Sequence, residues 1–325
     1  MNQHLSKIRK IKKMDYNTPI LVPSFSSKGF PHVKELHSYL KEKLTEASLI
    51  SVYDLYYKYL EHSQIYESDI LIVDSGGYES NQEHDIADIY NSLYIPKEWN
   101  VKLYENQVKI LKPITDILLV NFDSKEVYTL REQVELAQES FNKFSEFSSD
   151  FLCKPFNYGE LLIDVDNLTE HITLLSTFDV VGFTEKELGN SVLERAMSIY
   201  KIRKSLMEIG LETPIHIFGC VDPISIVLYF LCGADIFDGL SWLRFSFKNN
   251  TPTYLNHHAL YSGIWNQLDN EVKVLSYVEN LEVLSQLKNQ MISFSKSSDW
   301  EELGLGATEL REIQRILKVI MQNYK

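Results

Sequence analysis

Three aspartates stand at the ends of apolar, β-rich runs of the sequence. Asp74 closes ILIVD, Asp123 closes LLVNFD and Asp238 closes ADIFD. If these ends meet in the fold, the three carboxylates can divide the work of nucleophile, general acid/base and hydrogen-bond acceptor, because burial and like charge push their pKa values apart. The competing interpretation is that each aspartate caps the turn after it, and that Gly76 and Gly77 only allow positive φ angles.

These three runs belong to a longer alternation of strand and helix patterns. Eight β-rich runs are predicted as strands, at residues 20–23, 49–53, 70–74, 116–123, 150–156, 179–183, 214–219 and 235–240. Most of them are separated by helix-period segments, at residues 32–43, 101–111, 129–144, 191–209 and 222–231. The alternation predicts an α/β fold, a TIM (β/α)8 barrel over residues 19–245, whose chemistry belongs at the carboxyl ends of the strands.

The segments on either side of this barrel have their own patterns. Residues 1–18 include the basic stretch KIRKIKK, with cations at Lys7, Arg9, Lys10, Lys12 and Lys13. We interpret it as a solvated N-terminal segment, with a phosphate contact as the alternative. Residues 246–325 read as a polar linker followed by helices at 278–294 and 308–324, whose apolar spacing of three and four predicts a C-terminal helical appendage packed on the barrel.

Composition limits the classes of protein that fit this sequence. The 325 residues are 44% hydrophobic and include only 9 prolines and 13 glycines, which predicts one compact body without long disordered stretches. The longest apolar stretch, residues 224–232, is too short to cross a bilayer, and residues 1–15 lack the apolar region of a signal peptide, so a cytoplasmic protein without a membrane partner is expected. A net charge of −13 argues against a protein that coats nucleic acid, although a local basic patch is compatible with it.

Metal and cofactor motifs are absent from the sequence. Cys153, Cys220 and Cys232 each lie in apolar runs, without a C-x-x-C pair, which predicts buried reduced thiols rather than a zinc site or a disulfide. The adjacent pair His257 and His258 is expected to be a surface or packed pair, since neighbouring histidines rarely face one metal. With no P-loop and no G-x-G-x-x-G, no cofactor is predicted.

Three motifs, in order and spacing, resemble the tRNA-guanine transglycosylase superfamily. They are VDSGGYE, VNFDS and HIFGCVDPISIVLYFLCGADIFDGLSWLR. The barrels of that superfamily carry D-S-G-G-F-Q, a strand ending in A-F-D, and a G-V-G-x-P-E block that continues to G-x-D-M-F-D. Residues 219–238 match the last block without a gap, and the likeness covers most of the chain, from PILVPSFSS to NLEVLSQLKNQMISF.

The resemblance implies an exchange of guanine in a polynucleotide for a 7-deazaguanine base through a covalent glycosyl-enzyme intermediate. Asp238 corresponds to the nucleophile that attacks C1′, and Asp74 to the acid/base that protonates the leaving base and deprotonates the incoming one. Asp123 corresponds to the acceptor for the N1–H and exocyclic amine of guanine, donors that adenine cannot present.

The resemblance also implies a base-binding pocket and a contact to the polymer. Tyr78 and Phe218 fall where two side chains sandwich the extruded base, although two core aromatics are the alternative. Arg244, six residues after Asp238, corresponds to a phosphate or base contact. The remaining predicted base-binding residues are Ser75, Gly76 and Gly77, which allow the backbone to approach the ligand, together with Gly219 and Gly182. Around Gly182 the family's G-G-L-x-x-G turn appears only as VGFTEKELG.

Departures from the family pattern bear on the substrate. The segment after Arg244 lacks the Cys-x-Cys-x-x-Cys…His ligands of the family, so no zinc subdomain and no metal are predicted. CKPFNYGE stands where the family has a Q-G-G turn, and Glu79 stands where it has a glutamine. These features and the acidic balance favour the DpdA-like branch, which inserts 7-deazaguanines into DNA. Lys248, Arg244 and the N-terminal cations are then expected to form a basic rim for the polymer.

Several alternatives remain open from the sequence. A transglycosylase acting on tRNA, a base-excising DNA glycosylase and a non-catalytic nucleic-acid-binding paralogue each fit part of the pattern. A glycosylase leaves abasic sites, whereas a transglycosylase leaves exchanged bases. Homodimers are common in the family, and some of its enzymes work with an accessory protein, so a second copy or another protein is also an expected partner.

Overall fold

Eight parallel strands form a nearly closed barrel at the centre of the molecule. The computed structural model describes residues 4–81 and 94–324. The strands are β1 (Ile20–Pro23), β2 (Ala47–Ser51), β3 (Ile70–Asp74), β4 (Asp116–Val120), β5 (Ser148–Cys153), β6 (Val180–Thr184), β7 (Ile215–Phe218) and β8 (Ile236–Gly239). From β2 to β8 each strand pairs with the next one in sequence, and β8 returns to pair with β1 through Asp238 and Val22.

The barrel is incompletely closed between β1 and β2, which are the two ends of the sheet. The two ends are joined by a parallel bridge between Ser24 and Leu49, where the amide of Phe25 donates to the Leu49 carbonyl at 3.0 Å. The prediction of a parallel α/β barrel is therefore confirmed. Each of the eight predicted strands overlaps an observed one, although β4 ends at Val120, three residues before Asp123.

Strand residues alternate between the barrel interior and the helix layer, because successive side chains of a strand point to opposite faces. Ile70, Ile72 and Val120 belong to the interior cluster, whereas Leu71 and Val73 pack outward. Both faces are buried, which explains why the strands read as nearly continuous apolar runs.

Helices surround the barrel and connect its strands. Those of the barrel region are α1 (Val33–Leu40), α2 (Val52–Tyr56), α3 (Gly77–Ser80), α4 (Val101–Val108), α5 (Leu130–Lys143), α6 (Val165–Glu170), α7 (Val192–Glu208) and α8 (Pro223–Leu231). Local sequence sets their starts. Thr129 and Glu132 form a capping box at α5, and Asp222 caps α8 directly before Pro223.

The N-terminal segment closes the amino end of the barrel. Lys10–Ile11 pairs antiparallel with Tyr16–Asn17, and Ile11 and Met14 pack into the interior cluster. Arg9 is buried and donates to Asp235, the residue before β8, at 3.0 Å. The basic N-terminal cluster therefore lies at the opposite end of the barrel from Asp238 and does not contribute to a rim at the carboxyl ends, and its Arg9 is not solvated.

The C-terminal part begins with a hairpin rather than the predicted polar linker. Strands β9 (Phe245–Lys248) and β10 (Thr251–Tyr254) pair antiparallel around Asn249 and Asn250, which both have positive φ angles. Helices follow as α9 (His257–Ser262), α10 (Asp269–Ser297) and α11 (Ala307–Asn323), so the predicted C-terminal helices are present. Hairpins with two αL residues in the turn favour asparagine and glycine, and Asn249-Asn250 satisfies that requirement.

Two further findings bear on the sequence predictions. Cys153, Cys220 and Cys232 are all buried free thiols, as predicted. Among the described helices, none is long and apolar enough to cross a membrane.

Candidate active site

The three predicted carboxylates lie at the carboxyl ends of barrel strands. Asp74 is the last residue of β3, Asp238 is the third residue of β8, and Asp123 follows β4. The parity of the strands points Asp74 and Asp238 into the barrel, because they lie two residues after the interior positions Ile72 and Ile236. Asp123 and Asp238 both contribute to the raised pKa of Asp74, so the three groups act on one another electrostatically.

Asp238 is held by groups from two neighbouring strands. Its Oδ2 accepts a hydrogen bond from the Ser24 hydroxyl at 2.8 Å, and its Oδ1 accepts one from the Gly219 amide at 3.2 Å. Nε2 of His216 lies 3.3 Å from the same Oδ1. The side chain is only 8% exposed, so these contacts replace most of its hydration and fix its orientation. Gly219, which was predicted as a base-binding residue, contacts Asp238, whereas the part of Ser24 was not predicted.

His216 extends the contacts of Asp238 into the barrel interior. Its Nδ1 lies 2.6 Å from Oδ2 of Asp150, and both side chains are fully buried. Burial alone disfavours a charged imidazole, but the carboxylates of Asp150 and Asp238 outweigh it and raise the pKa of His216 to about 9. His216 and Asp150 were not predicted. The signal that could have found them is a polar residue at an interior position of an otherwise apolar strand.

Asp74 combines the capping and the chemical interpretations of its position. Its Oδ2 accepts a hydrogen bond from the Gly76 amide at 2.9 Å, which shapes the turn after β3. Burial, the Glu79 carboxylate and the more distant Asp123 and Asp238 raise the pKa of Asp74 to about 7, against the single opposing hydrogen bond from Gly76. A carboxyl with that pKa can both give and take a proton near neutrality.

Two of the predicted glycines are required by close contacts. A Cβ on Gly77 would lie 2.4 Å from Oδ2 of Asp123, so the absence of a side chain lets that carboxylate approach the start of α3. Gly76 has a φ of +88°, and a Cβ added there would lie 2.6 Å from the Cβ of Tyr53. Ser75 directly precedes Gly76, and its hydroxyl accepts a hydrogen bond from the Asp123 amide at 3.1 Å.

Lys154 is a cation that the sequence interpretation did not assign. It follows β5 directly, and its Nζ lies 3.6 Å from Oδ2 of Asp123 and 2.6 Å from Oε1 of Glu187. Burial opposes its charge, but Asp123 and Glu187 outweigh burial and raise its pKa above the usual lysine value. It stands in the CKPFNYGE turn that replaces the family's Q-G-G, next to the predicted acceptor for the base.

Tyr78 and Arg244 contact each other at the same end of the barrel. Nη2 of Arg244 lies 3.3 Å from the Tyr78 hydroxyl, and the guanidinium is also placed over the Phe30 ring at 5.9 Å. The buried Lys28 has its Nζ 4.3 Å from the centre of the Tyr78 ring and donates to the Tyr78 carbonyl at 3.0 Å. The predicted base-stacking residue and the predicted polymer contact are therefore neighbours.

Phe218 lies on the side of the site formed by β6 and β7. Its ring is 3.8 Å from that of His216, centre to centre, and a Cβ on Gly182 would lie 2.4 Å from its Cε2. Gly182 thus leaves the space that the Phe218 ring occupies. Tyr78 lies in α3 and Phe218 ends β7, both at the same end of the barrel, while a base between them stays a prediction.

Other predicted groups lie in ordinary structural contacts. Lys248 has its Nζ 3.5 Å from Oε1 of Glu279, and Nε2 of His258 lies 3.0 Å from Oε2 of the same glutamate. Within residues 4–81 and 94–324, no three His, Cys, Asp or Glu side chains are grouped as metal ligands.

Residues of the three sequence motifs lie together at the carboxyl ends of the barrel strands. Gly219 and His216 from the longest motif contact Asp238, and Asp74, Gly77 and Asp123 from the other two contact or influence one another. Scanned against protein-family models the chain matches none, and a search of curated proteins finds no match.

Proposed function

We propose that the protein exchanges a guanine base of a polynucleotide, preferably DNA, for a 7-deazaguanine base. The observation that carries the proposal is the pairing of two unlike carboxyl groups at the barrel mouth. Asp238 accepts hydrogen bonds from Ser24 and Gly219, while Asp74 has a pKa of about 7. Carboxyl groups whose surroundings differ in this way can serve as nucleophile and as acid/base in one reaction.

The first half of the reaction forms the covalent intermediate. A carboxylate oxygen of Asp238 forms a bond to C1′ of the sugar, and the electron pair of the glycosidic bond leaves with guanine. Protonated Asp74 gives its proton to a ring nitrogen of the departing base, so that neutral guanine is released. Asp74 is then a carboxylate and Asp238 an ester.

The second half of the reaction reverses these roles. The Asp74 carboxylate takes the ring N–H proton of the incoming 7-deazaguanine, whose nitrogen forms the new bond to C1′. The electron pair of the ester bond returns to Asp238, and both carboxyl groups regain their starting states. One residue thus serves as acid and then as base, which a pKa near 7 suits.

Selection of guanine is assigned to Asp123 and its surroundings. Its carboxylate is presented by the close approach to Gly77 and can accept the N1–H and exocyclic N–H of guanine. Adenine offers an acceptor at N1, so binding adenine would leave a carboxylate facing a lone pair. The ammonium of Lys154, 3.6 Å from Asp123, is a donor within reach of the carbonyl edge of the same base.

The preference for DNA is supported by composition and by the missing family zinc ligands. Arg244, beside Tyr78 at this end of the barrel, can meet a phosphodiester backbone of either polymer. A tRNA substrate is the second candidate, because the three motifs resemble enzymes of that class.

Labelled guanine tests the reaction and the polymer together. We expect incorporation of radiolabelled guanine into DNA, single-stranded or duplex, above that into total tRNA. Asp238→Asn should abolish incorporation with an unchanged circular dichroism spectrum, while Asp166→Asn, which changes an exposed aspartate of α6, should retain it. Incorporation into tRNA alone would reverse the polymer assignment, and abasic sites without incorporation would replace exchange by base excision.

A further inference from the structure

A buried histidine lies between two buried carboxylates, one of which is the proposed nucleophile Asp238. Nδ1 of His216 is 2.6 Å from Asp150 and Nε2 is 3.3 Å from Asp238. His216 and Asp150 have no exposed side-chain surface, and Asp238 is 8% exposed. The three residues come from β7, β5 and β8, so the arrangement is built from strands and not from a loop.

His216 meets the two carboxylates differently: Nδ1 is hydrogen-bonded to Asp150, whereas Nε2 lies at ion-pair distance from Asp238 without hydrogen-bond geometry. A neutral imidazole has one N–H and can donate to one carboxylate only, whereas an imidazolium donates from both nitrogens. A neutral ring would therefore place a lone pair 2.6 or 3.3 Å from a buried carboxylate. The other neighbours of the ring bring no charge, since β6 contributes Gly182 beside Asp150, and Phe218 stacks on the imidazole.

We propose that His216 is an imidazolium that acts through Asp238 as a positioning residue, stabilising the carboxylate that leaves C1′ in the second half of the exchange. The role rests on the proposed function; the charge of His216 does not. Burial opposes the charge, but Asp150 and Asp238 hold the pKa of His216 at about 9, so the ring stays protonated through neutral pH.

The cation has opposite effects on the two halves of the reaction. When the ester forms, Asp238 loses its negative charge and the imidazolium loses a partner, so ester formation is disfavoured. When the ester breaks, the electron pair returns to Asp238 and its charge develops beside the imidazolium, so release is favoured. The proton remains on His216 throughout. His216 therefore prevents the covalent intermediate from accumulating.

Asp150 fixes the cation from the other side. Its Oδ2 contacts Nδ1 of His216, and burial raises its own pKa, an effect that the imidazolium opposes. Asp150→Asn keeps the size of the side chain and removes this charge. It should therefore lower the pKa of His216 while the Asp238 side chain is unaltered.

Nitrogen NMR of the full-length protein tests the charge by itself. With 15N-labelled histidine, both ring nitrogens of His216, assigned by their loss in His216→Gln, should be protonated at pH 7, and Asp150→Asn should bring the titration to lower pH. A neutral single tautomer of His216 at pH 7 would overturn the inference, whether or not the protein exchanges bases.

Release of the covalent intermediate tests the role. The adduct with a guanine-containing oligonucleotide is formed and then chased with excess free guanine, and its decay is followed on denaturing gels. His216→Gln should slow decay by about 10- to 100-fold, the size expected for loss of a contact between two charged groups, while adduct formation is not slowed.

Two controls separate this role from a structural one. His37→Gln alters another buried histidine, which packs on the Phe25 ring on the outer side of the barrel, and should leave decay unchanged. If His216→Gln does not fold, Asp150→Asn should show the slower decay instead. Decay as fast as wild type in folded variants would overturn the role, and a wild-type protein that forms no adduct would overturn the proposed exchange and this role with it.

Discussion

The Asp74 carboxyl owes its pKa of about 7 first to burial and then to the Glu79 carboxylate. Glu79 is 2% exposed, and burial together with Asp54 also raises its own pKa to about 7. Its Oε1 accepts a hydrogen bond from the Ser26 hydroxyl. Glu79 is therefore an electrostatic partner of the proposed acid/base Asp74.

Replacing Glu79 by glutamine should lower the pKa of Asp74. The amide keeps the shape of the side chain and removes the like charge that disfavours ionised Asp74. Protonated Asp74 is the form required in the first half of the proposed reaction, so the rate of adduct formation by the wild type should fall as pH rises through about 7. In Glu79→Gln the same fall should occur at a pH lower by about one unit. Single-turnover rates between pH 5 and 9 measure this shift.

The control for this profile is Glu312→Gln. That glutamate pairs with Arg315 on the surface of α11, and its replacement should leave the profile in place. A profile that does not move in Glu79→Gln would mean that Glu79 does not set the protonation of Asp74.

At the scale of elements, helix α10 positions the segment that follows β8. The fully buried Asn280 donates to the carbonyls of Trp242 and Phe245 at 2.6 and 2.7 Å, and its Oδ1 accepts from the Phe247 amide at 2.7 Å. This segment contains Arg244. One side chain of the C-terminal part thus connects it to the mouth of the barrel.

Asn280→Ala should destabilise the fold by about 3 kcal/mol, because it leaves two carbonyls and one amide of a buried segment without that partner. Urea unfolding followed by circular dichroism measures the change. Ser276→Ala, one turn earlier on α10, is the matched control, because the Ser276 hydroxyl is buried without a hydrogen-bond partner among the described residues. Equal losses in both variants would show that packing of α10, not the Asn280 contacts, holds the segment.

Strand positions were predictable because both faces of each barrel strand are apolar and the runs stand out from the helices. The β9–β10 hairpin was not predicted, since Pro252 and the polar residues around Asn249 and Asn250 read as a linker, although that asparagine pair suits a tight turn. The Asp150–His216 contact joins strands far apart in sequence. Strand parity could place each side chain inside the barrel, but not the two beside each other.

At the scale of the whole molecule, a buried ion-pair network joins the N-terminal segment to the amino end of the barrel. Asp235 accepts hydrogen bonds from Arg9 at 3.0 Å and from Arg203 at 2.5 Å, and all three side chains are at most 1% exposed. Glu212 also accepts from Arg9, at 3.1 Å. Residues 10–17 cover the interior cluster at the amino end of the barrel.

Arg9→Met should lower the free energy of unfolding by about 3 kcal/mol, because it leaves Asp235 buried with one cation in place of two. Chemical denaturation measures the loss, and Lys12→Met, an exposed position in the same basic stretch, should change little. A loss in both variants of the same size would mean that net charge, and not the Asp235 contact, is what the segment contributes.

In the proposed base exchange, Asp238 carries the sugar between the two halves of the reaction. The most direct measurement is to incubate the protein with a guanine-containing DNA oligonucleotide, quench with denaturant, and map the modified peptide by mass spectrometry. We expect an adduct at Asp238 that is lost when free guanine is added and that does not form in Asp238→Asn. An adduct at another residue, or exchange that persists in Asp238→Asn, would contradict it.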